Sequence, residues 1–312
     1  MNNTLVTLFG GGGFIGRYVA QALLAAGARV RVADRQPRSA YFLKPLGGLG
    51  QTQFIAADVT RRDSVERAVE GADWVVNLVG TFGPNMHGVH VDGAGNIAAA
   101  AARVGAKALV HLSAIGADPQ SASAYGSSKG LGEQAVRAAF PAATILRPSV
   151  VFGREDQFTN RFARMIETMP MVPVLRAQAK FQPVYVADVA DAVVAALKDS
   201  LVFGGQTLAL GGPDVMSMGD IQRYLAQATG REKRFIELPD AAGGLIARMG
   251  FLPGAPISWD QWQMLQSDNV VGEQENGLEA LGVPATPMAS VAPDWLVVYR
   301  KGGRFGARTE LA

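Results

Sequence analysis

The chain has 312 residues, a net charge of +2 and no cysteine. Disulfides, thiolate metal sites and cysteine nucleophiles are therefore excluded, and the near-neutral balance offers no broad surface to nucleic acid. The length admits one large domain, or a domain with a smaller lobe.

The predicted elements begin with a strand at Thr4–Phe9, followed by a helix whose Ile15, Val19 and Leu23 recur every four residues. Between them Gly10, Gly13 and Gly16 have the spacing of a G-x-x-G-x-x-G dinucleotide turn. The first two let the backbone turn sharply and a pyrophosphate approach main-chain N–H groups; the third lets the helix pack close to the sheet. Gly12, Phe14 and Ile15 complete the candidate cofactor contacts of this turn. A start at about Thr4 leaves no room for a signal or transit peptide, which points to a bacterial cytosolic protein.

A second strand at Arg29–Ala33 ends in Asp34 and Arg35. An acid at this place binds ribose hydroxyls and repels a 2′-phosphate, whereas an arginine can pair with that phosphate. Having both, the chain leaves NAD(H) and NADP(H) open. A third strand at Gln53–Ala57 precedes Asp58 and Val59, an adenine-side candidate. After a helix at Arg62–Glu70 comes a strand at Asp73–Val79, whose end places Leu78, Val79 and Gly80 beside the adenosine. A helix near Val89–Val104, a strand at Ala108–Leu112, a helix from Tyr125 and a strand at Thr144–Leu146 follow.

Short apolar strands alternating with helices predict an α/β fold, a doubly wound parallel sheet of Rossmann type with ligands at the carboxyl ends of its strands. Residues 1–150 form the predicted dinucleotide-binding core. Residues 151–312 form mostly a smaller C-terminal capping lobe, with segments of about 181–212 returning to the core. Among the three histidines, His87 and His90 lie close in sequence to each other but have no third ligand, so no metal site is expected. The alanine-rich stretch after Asn96 is too interrupted, at Arg103 and Lys107, to span a membrane.

Ser113 ends the fifth strand, and Tyr125 and Lys129 are four apart, on one face of the next helix. An ammonium beside a phenol lowers its pKa, so Tyr125 could exchange a proton with a substrate hydroxyl while Ser113 orients the reacting oxygen. Lys129 can also hold a nicotinamide ribose. Glu133, another four residues along, has a plainer reading as the partner of Lys129.

These motifs, with Asn77-Leu-Val-Gly80, His111-Leu-Ser113, Arg147-Pro-Ser-Val-Val-Phe-Gly153 and Val184–Ala190, resemble the extended and atypical branch of the short-chain dehydrogenase/reductase superfamily. The resemblance implies that Pro148, Ser149 and Val150 pass by the nicotinamide. The stretches Arg147–Phe162, Phe181–Asp188 and Leu278–Pro287 are similar to the dehydrogenase-like accessory subunit of respiratory complex I and its bacterial relatives. That likeness implies a mainly structural NADP(H), complex I subunits as partners, and a cytoplasmic place peripheral to the bacterial inner membrane surface. Asp34 departs from the family pattern and keeps NAD(H) open. The alternative is an active NAD(P)-dependent oxidoreductase or epimerase using Ser113, Tyr125 and Lys129 on a small hydroxyl or carbonyl compound.

In the second half, Gly243–Phe251 and Trp259, Trp262, Met264 and Leu265 put bulky apolar groups in predicted helices. Most are expected to pack the lobe; any left exposed would mark a partner or membrane contact. Ser217 and Asp220 have the spacing of a helix cap. The basic tail, Arg300, Lys301, Arg304 and Arg308 with Glu310, is read as solvated or as lying on anionic lipid.

Overall fold

The structure, a computed structural model, describes residues 1–250, 257–272 and 277–305. Strand β1 (Leu5–Phe9) is buried at every position, and the hydroxyl of Thr7, its one polar residue, donates to the Ala68 carbonyl at 3.0 Å. It lies between β2 (Arg29–Asp34) and β4 (Trp74–Asn77), parallel to both, with Val6 opposite Val30 and Trp74. Beyond β2 lies β3 (Thr52–Ala56); beyond β4 lie β5 (Ala108–Leu112), β6 (Thr144–Pro148) and the strand Thr207–Leu210. The seven strands are all parallel. The chain leaves β1 toward one edge and returns at β4 to build the other. The carboxyl ends of β1 and β4 therefore flank the topological switch point, where a doubly wound sheet opens a crevice.

Helices cover both faces, because each parallel strand must be carried back across the sheet. Helix α1 (Phe14–Ala25) packs beside the helix Val186–Lys198. On the other face, α2 (Arg62–Val69) and α3 (Gly93–Arg103) press Val65, Ala68, Ile97, Ala98 and Ala101 against Phe9, Val75 and Leu109. Each large apolar side chain buried there contributes about 1.5–3 kcal/mol.

The helix expected from Val89 is instead entered through a π-helical turn, Gly88–Asp92, before α3 begins. The extra residue in that turn carries His90 inward, where it is 2% exposed. Helix α4 (Ala124–Ala139) packs against this turn through Gly132, where a Cβ would run into the His90 carbonyl.

The chain divides into two compact units. The first comprises Met1–Pro148, Val186–Leu210 and Gly272–Pro284, and holds the seven-stranded sheet. The second comprises Ser149–Tyr185, Gly211–Val271 and Ala285–Ala312. Its core gathers Phe152, Ile166, Val172, Val174, Ile221, Leu225 and Trp295. The helix Met218–Ala228 starts with a reciprocal capping box between Ser217 and Asp220, in agreement with their spacing.

The helices Asp240–Arg248 and Trp259–Met264 fall in the apolar stretches of the second half. Trp262 is buried, its ring lying where a Cβ on Gly243 would be. Leu245, Met249 and Trp259 stay exposed. In the tail, Arg300 donates to the Ala228 carbonyl at 3.2 Å. Phe251, the Arg304 side chain, Arg308 and Glu310 lie outside the described residues.

Two glycines on helices separate packing from propensity. A Cβ at Gly16 would collide with the Gly10 carbonyl and come within 2.6 Å of Gly11 Cα, whereas one at Gly95 would meet Ala135 Cβ at an ordinary 3.5 Å. Gly16→Ala should therefore destabilise by about 1–3 kcal/mol. Gly95→Ala should be neutral or stabilise by up to about 1 kcal/mol. Urea unfolding of both variants checks the pair, and equal effects would contradict the packing at Gly16.

Candidate dinucleotide site

Three loops meet at the switch point, those after β1, β2 and β4. After β1, Gly10 has φ +80°, a left-handed conformation that costs a side-chain-bearing residue energy. Its N–H donates to the Ala33 carbonyl at 3.2 Å, and its own carbonyl accepts from Gly13 at 3.1 Å. A Cβ on Gly10 would sit 3.3 Å from the Leu78 backbone, so the loops after β1 and β4 touch through main chain. Gly13 precedes α1 with no side-chain cap, so no capping side chain occupies the first N–H groups of the helix, those of Phe14 and Ile15.

The end of β2 reaches the same turn. A Cβ on Gly12 would stand 3.0 Å from Asp34 Oδ2, so the carboxylate lies directly against the glycine loop. Its other oxygen accepts from the Gln36 N–H at 3.2 Å. Arg35 is exposed and lines a separate hollow of about 310 Å³ with Asp58, Arg61, Ser64 and Arg67. No ion pair joins Arg35 to Asp34 among the described residues. Asp58 Oδ1 accepts from the Thr60 hydroxyl at 2.8 Å and the Thr60 N–H at 3.0 Å. These bonds, with Arg35 and Arg61 nearby, hold its carboxyl below the usual range. Asp58 thus organises the turn into α2, while Val59 packs against α3 at Gly93.

After β4, Asn77 accepts from the Val79 N–H at 3.0 Å and turns its amide nitrogen toward His111 Nδ1, also 3.0 Å away. That arrangement leaves the proton of neutral His111 on Nε2. His111 is fully enclosed, and burial pushes its pKa well below the usual value. The Thr81 N–H donates to His90 Nε2 at 2.9 Å, so neutral His90 carries its proton on Nδ1 and presents it to Ser128 Oγ, 2.9 Å away. Ser128 in turn donates to the Tyr125 carbonyl at 3.0 Å. Burial, reinforced by Lys129, lowers the His90 pKa to about 4, so the imidazole is neutral at physiological pH.

The three candidate catalytic residues lie in this first unit, at the end of β5 and on the first turns of α4. The Ser113 N–H donates to Leu146 at 2.7 Å, while its hydroxyl is buried with no hydrogen-bond partner among the described residues. Lys129 Nζ donates to the Leu112 carbonyl at 2.7 Å; burial lowers its pKa to about 8, with Glu133 opposing the shift. Glu133 nevertheless pairs through both oxygens with Arg147, at 2.8 and 2.6 Å, and not with Lys129.

Tyr125 departs from the expectation of a phenol acidified by lysine. Burial pushes its pKa up to about 12. The Phe82 ring lies nearly parallel over the tyrosine ring, centroids 4.4 Å apart, and His90 meets it edge-on. Sequence reasoning missed both covers: Phe82 sat in an unassigned loop, and His90 was weighed only as a metal ligand. The signal available was an aromatic and a histidine flanking the end of a buried strand.

Pro148 ends β6 in the first unit and accepts from the Ile115 N–H at 3.0 Å. Ser149 and Val150 belong to the second unit, where the Asn269 side chain accepts from the Ser149 hydroxyl at 2.7 Å and the Val150 N–H at 3.0 Å. The residues present fit a dinucleotide: a glycine cradle that a Cβ would fill, an acid against it, and an orphaned hydroxyl at Ser113. A bound nicotinamide dinucleotide would supply a hydride-carrying ring. Gly10–Gly16, Asp34 and Leu78–Gly80 could hold its adenosine diphosphate, and Tyr125 and Lys129 its second ribose.

Phe82→Ala removes the ring that covers Tyr125. The Tyr125 pKa should then fall from about 12 toward the ordinary phenolic value of about 10. Ultraviolet titration of the phenol, with Tyr125→Phe as the blank, reads this directly. An unchanged pKa would mean that Phe82 does not desolvate it.

Residues 6–207 match the NAD dependent epimerase/dehydratase family. A mitochondrial NADH dehydrogenase [ubiquinone] 1 alpha subcomplex subunit 9 of Mus musculus is 34% identical over 92% of this chain and 78% of its own length. A ceramide reductase of Caulobacter vibrioides is 30% identical over 81% of this chain and 80% of its own. Among solved structures, an NADPH-dependent quinone oxidoreductase of Escherichia coli, complexed with NADPH, shares the fold with a TM-score of 0.75. It is 18% identical over 93% of this chain and 99% of the other. The match over most of the sheet, together with the glycine cradle at its switch point, places this chain in the NAD dependent epimerase/dehydratase family.

Proposed function

We propose that the chain is an accessory or assembly subunit of a bacterial respiratory complex I that holds a nicotinamide dinucleotide chiefly as a structural element. The observation that carries this reading is the likeness, over 92% of the chain, to a relative named as a subunit of the mitochondrial NADH dehydrogenase [ubiquinone] 1 alpha subcomplex. The site supports it physically. A general acid or base works best with a pKa near the operating pH. Tyr125, at about 12 and under Phe82, is poorly matched to proton transfer but remains a good hydrogen-bond donor to a ribose.

Among the described residues no helix is long and apolar enough to cross a membrane. With the likeness to that subunit, the chain is proposed as a peripheral component on the cytoplasmic face of the enzyme's membrane side. The exposed Leu245, Met249 and Trp259 offer an apolar contact in the second unit.

A second reading, an active reductase, is favoured by one observation: the buried Ser113 hydroxyl has no partner among the described residues, as a group that orients a substrate oxygen would. Gentle purification of the native protein separates the two. Co-purifying complex I subunits, with a nucleotide that does not react with hydride acceptors, is the expected result. A free protein that oxidises its nucleotide with a defined carbonyl compound would establish the reductase instead.

For the nucleotide itself, the Asp34 carboxylate against Gly12 supports NAD(H), since a 2′-phosphate there would meet a negative charge. Asp34→Ser should weaken NADH and strengthen NADPH, each by about tenfold, a change of about 1.4 kcal/mol. Titration by fluorescence checks this, and wild-type protein that prefers NADPH would assign the phosphate to the Arg35 hollow.

A further inference from the structure

Residues 35–57 include Arg35, Arg38 and Lys44 but no acid. Within them, the 3₁₀ helix Pro37–Leu46 buries Ala40 and Leu43 completely. With about three residues per turn, those two anchors decide what faces outward. Tyr41, Phe42 and Leu46 are 40%, 43% and 46% exposed, and Leu49, at the tip of the following Gly47–Gly50 loop, is fully exposed. Lys44 Nζ lies 3.6 Å from the Tyr41 ring centroid, and the Arg17 guanidinium 4.7 Å from that of Phe42. The apolar patch is thus joined by two cations whose charged ends lie over its rings.

A patch of this kind costs free energy in water and is retained where something covers it. Its chemistry points to one cover. Aromatic rings with a polar edge, long cationic side chains and a leucine on a glycine loop suit the boundary between headgroups and acyl chains. An acid-free stretch is drawn to anionic phosphates. We propose that this face docks on an anionic lipid surface. Tyr41, Phe42, Leu46 and Leu49 enter the headgroup boundary while Arg38 and Lys44 meet the phosphates. The proposal rests on the membrane-side placement above and names the surface that makes it.

Flotation of the purified chain with phosphatidylcholine vesicles, with and without phosphatidylserine, tests this. The wild type should float with the anionic vesicles and be released by salt. Tyr41→Ser, Phe42→Ser and Leu49→Ser combined should lower binding by about tenfold or more. Arg38→Gln and Lys44→Gln should each lower it about fivefold. Unchanged NADH binding and melting temperature show that the variants are folded. A wild type that stays unbound, or variants that float equally well, would overturn the proposal. Loss of co-purifying complex I subunits from the triple variant, with vesicle binding intact, would also overturn it by making the patch a protein contact. Vesicle binding lost in the variants, in a native protein that never carries complex I subunits, would support the lipid surface while removing the accessory reading.

Discussion

Helix α1 can begin at Phe14, so soon after β1 ends at Phe9, only because the backbone doubles on itself with no side chain in between. Gly16 sits where a methyl group would overlap the Gly10 carbonyl, and Gly10 itself turns through a left-handed conformation. The closeness of these segments brings the loop after β4 onto the loop after β1, and Asp34 onto Gly12. Everything else in the crevice is placed from that contact. The start of helix α1 and the Asp34 carboxylate thus lie beside the same glycine turn, the arrangement that would suit a pyrophosphate and a ribose.

The architecture was legible because it follows from period and polarity. Buried parallel strands are predominantly apolar, and β1, β4 and β5 are, with Thr7, Asn77 and His111 the polar exceptions; the helix after β1 shows a repeat of four. The strand β3 lies one residue earlier than expected, at Thr52–Ala56. The π-helical turn before α3 left no mark in the pattern either, since one extra residue shifts a helical face without changing its composition. Among the candidate site residues, the turn made by Gly10–Gly16 and the place of Asp34 beside it were legible, since backbone geometry and strand ends set their positions.

The state of Tyr125 was not legible. Spacing puts Tyr125 and Lys129 on one helical face, but it says nothing of what lies over that face. Phe82 and His90 arrive from a different loop, and their effect is desolvation, which depends on packing between elements distant in sequence. The same reason hid the partner of Glu133. The bidentate pairing with Arg147 crosses from α4 to β6, whereas a pairing with Lys129 would have stayed within one helix.

The cost of this cluster argues for a ligand and not for stability. Lys129 is lowered to about 8 from an ordinary value of 10.5, so the unfolded chain binds its proton more tightly than the folded one. Stability therefore falls as pH drops from about 10.5 to about 8, and below that window the folded protein bears the whole cost of a buried ammonium. The Ser113 hydroxyl and His111 Nε2 are buried nearby without partners among the described residues. A fold selected for stability alone would place apolar or fully hydrogen-bonded groups at such positions, as it does with Thr7 and Thr144 elsewhere in the sheet. Unpaid polar groups gathered at one strand end are what a bound polar molecule would satisfy. The phenol beside them is pushed toward its neutral form by the same burial, which keeps its proton available for donation to such a molecule.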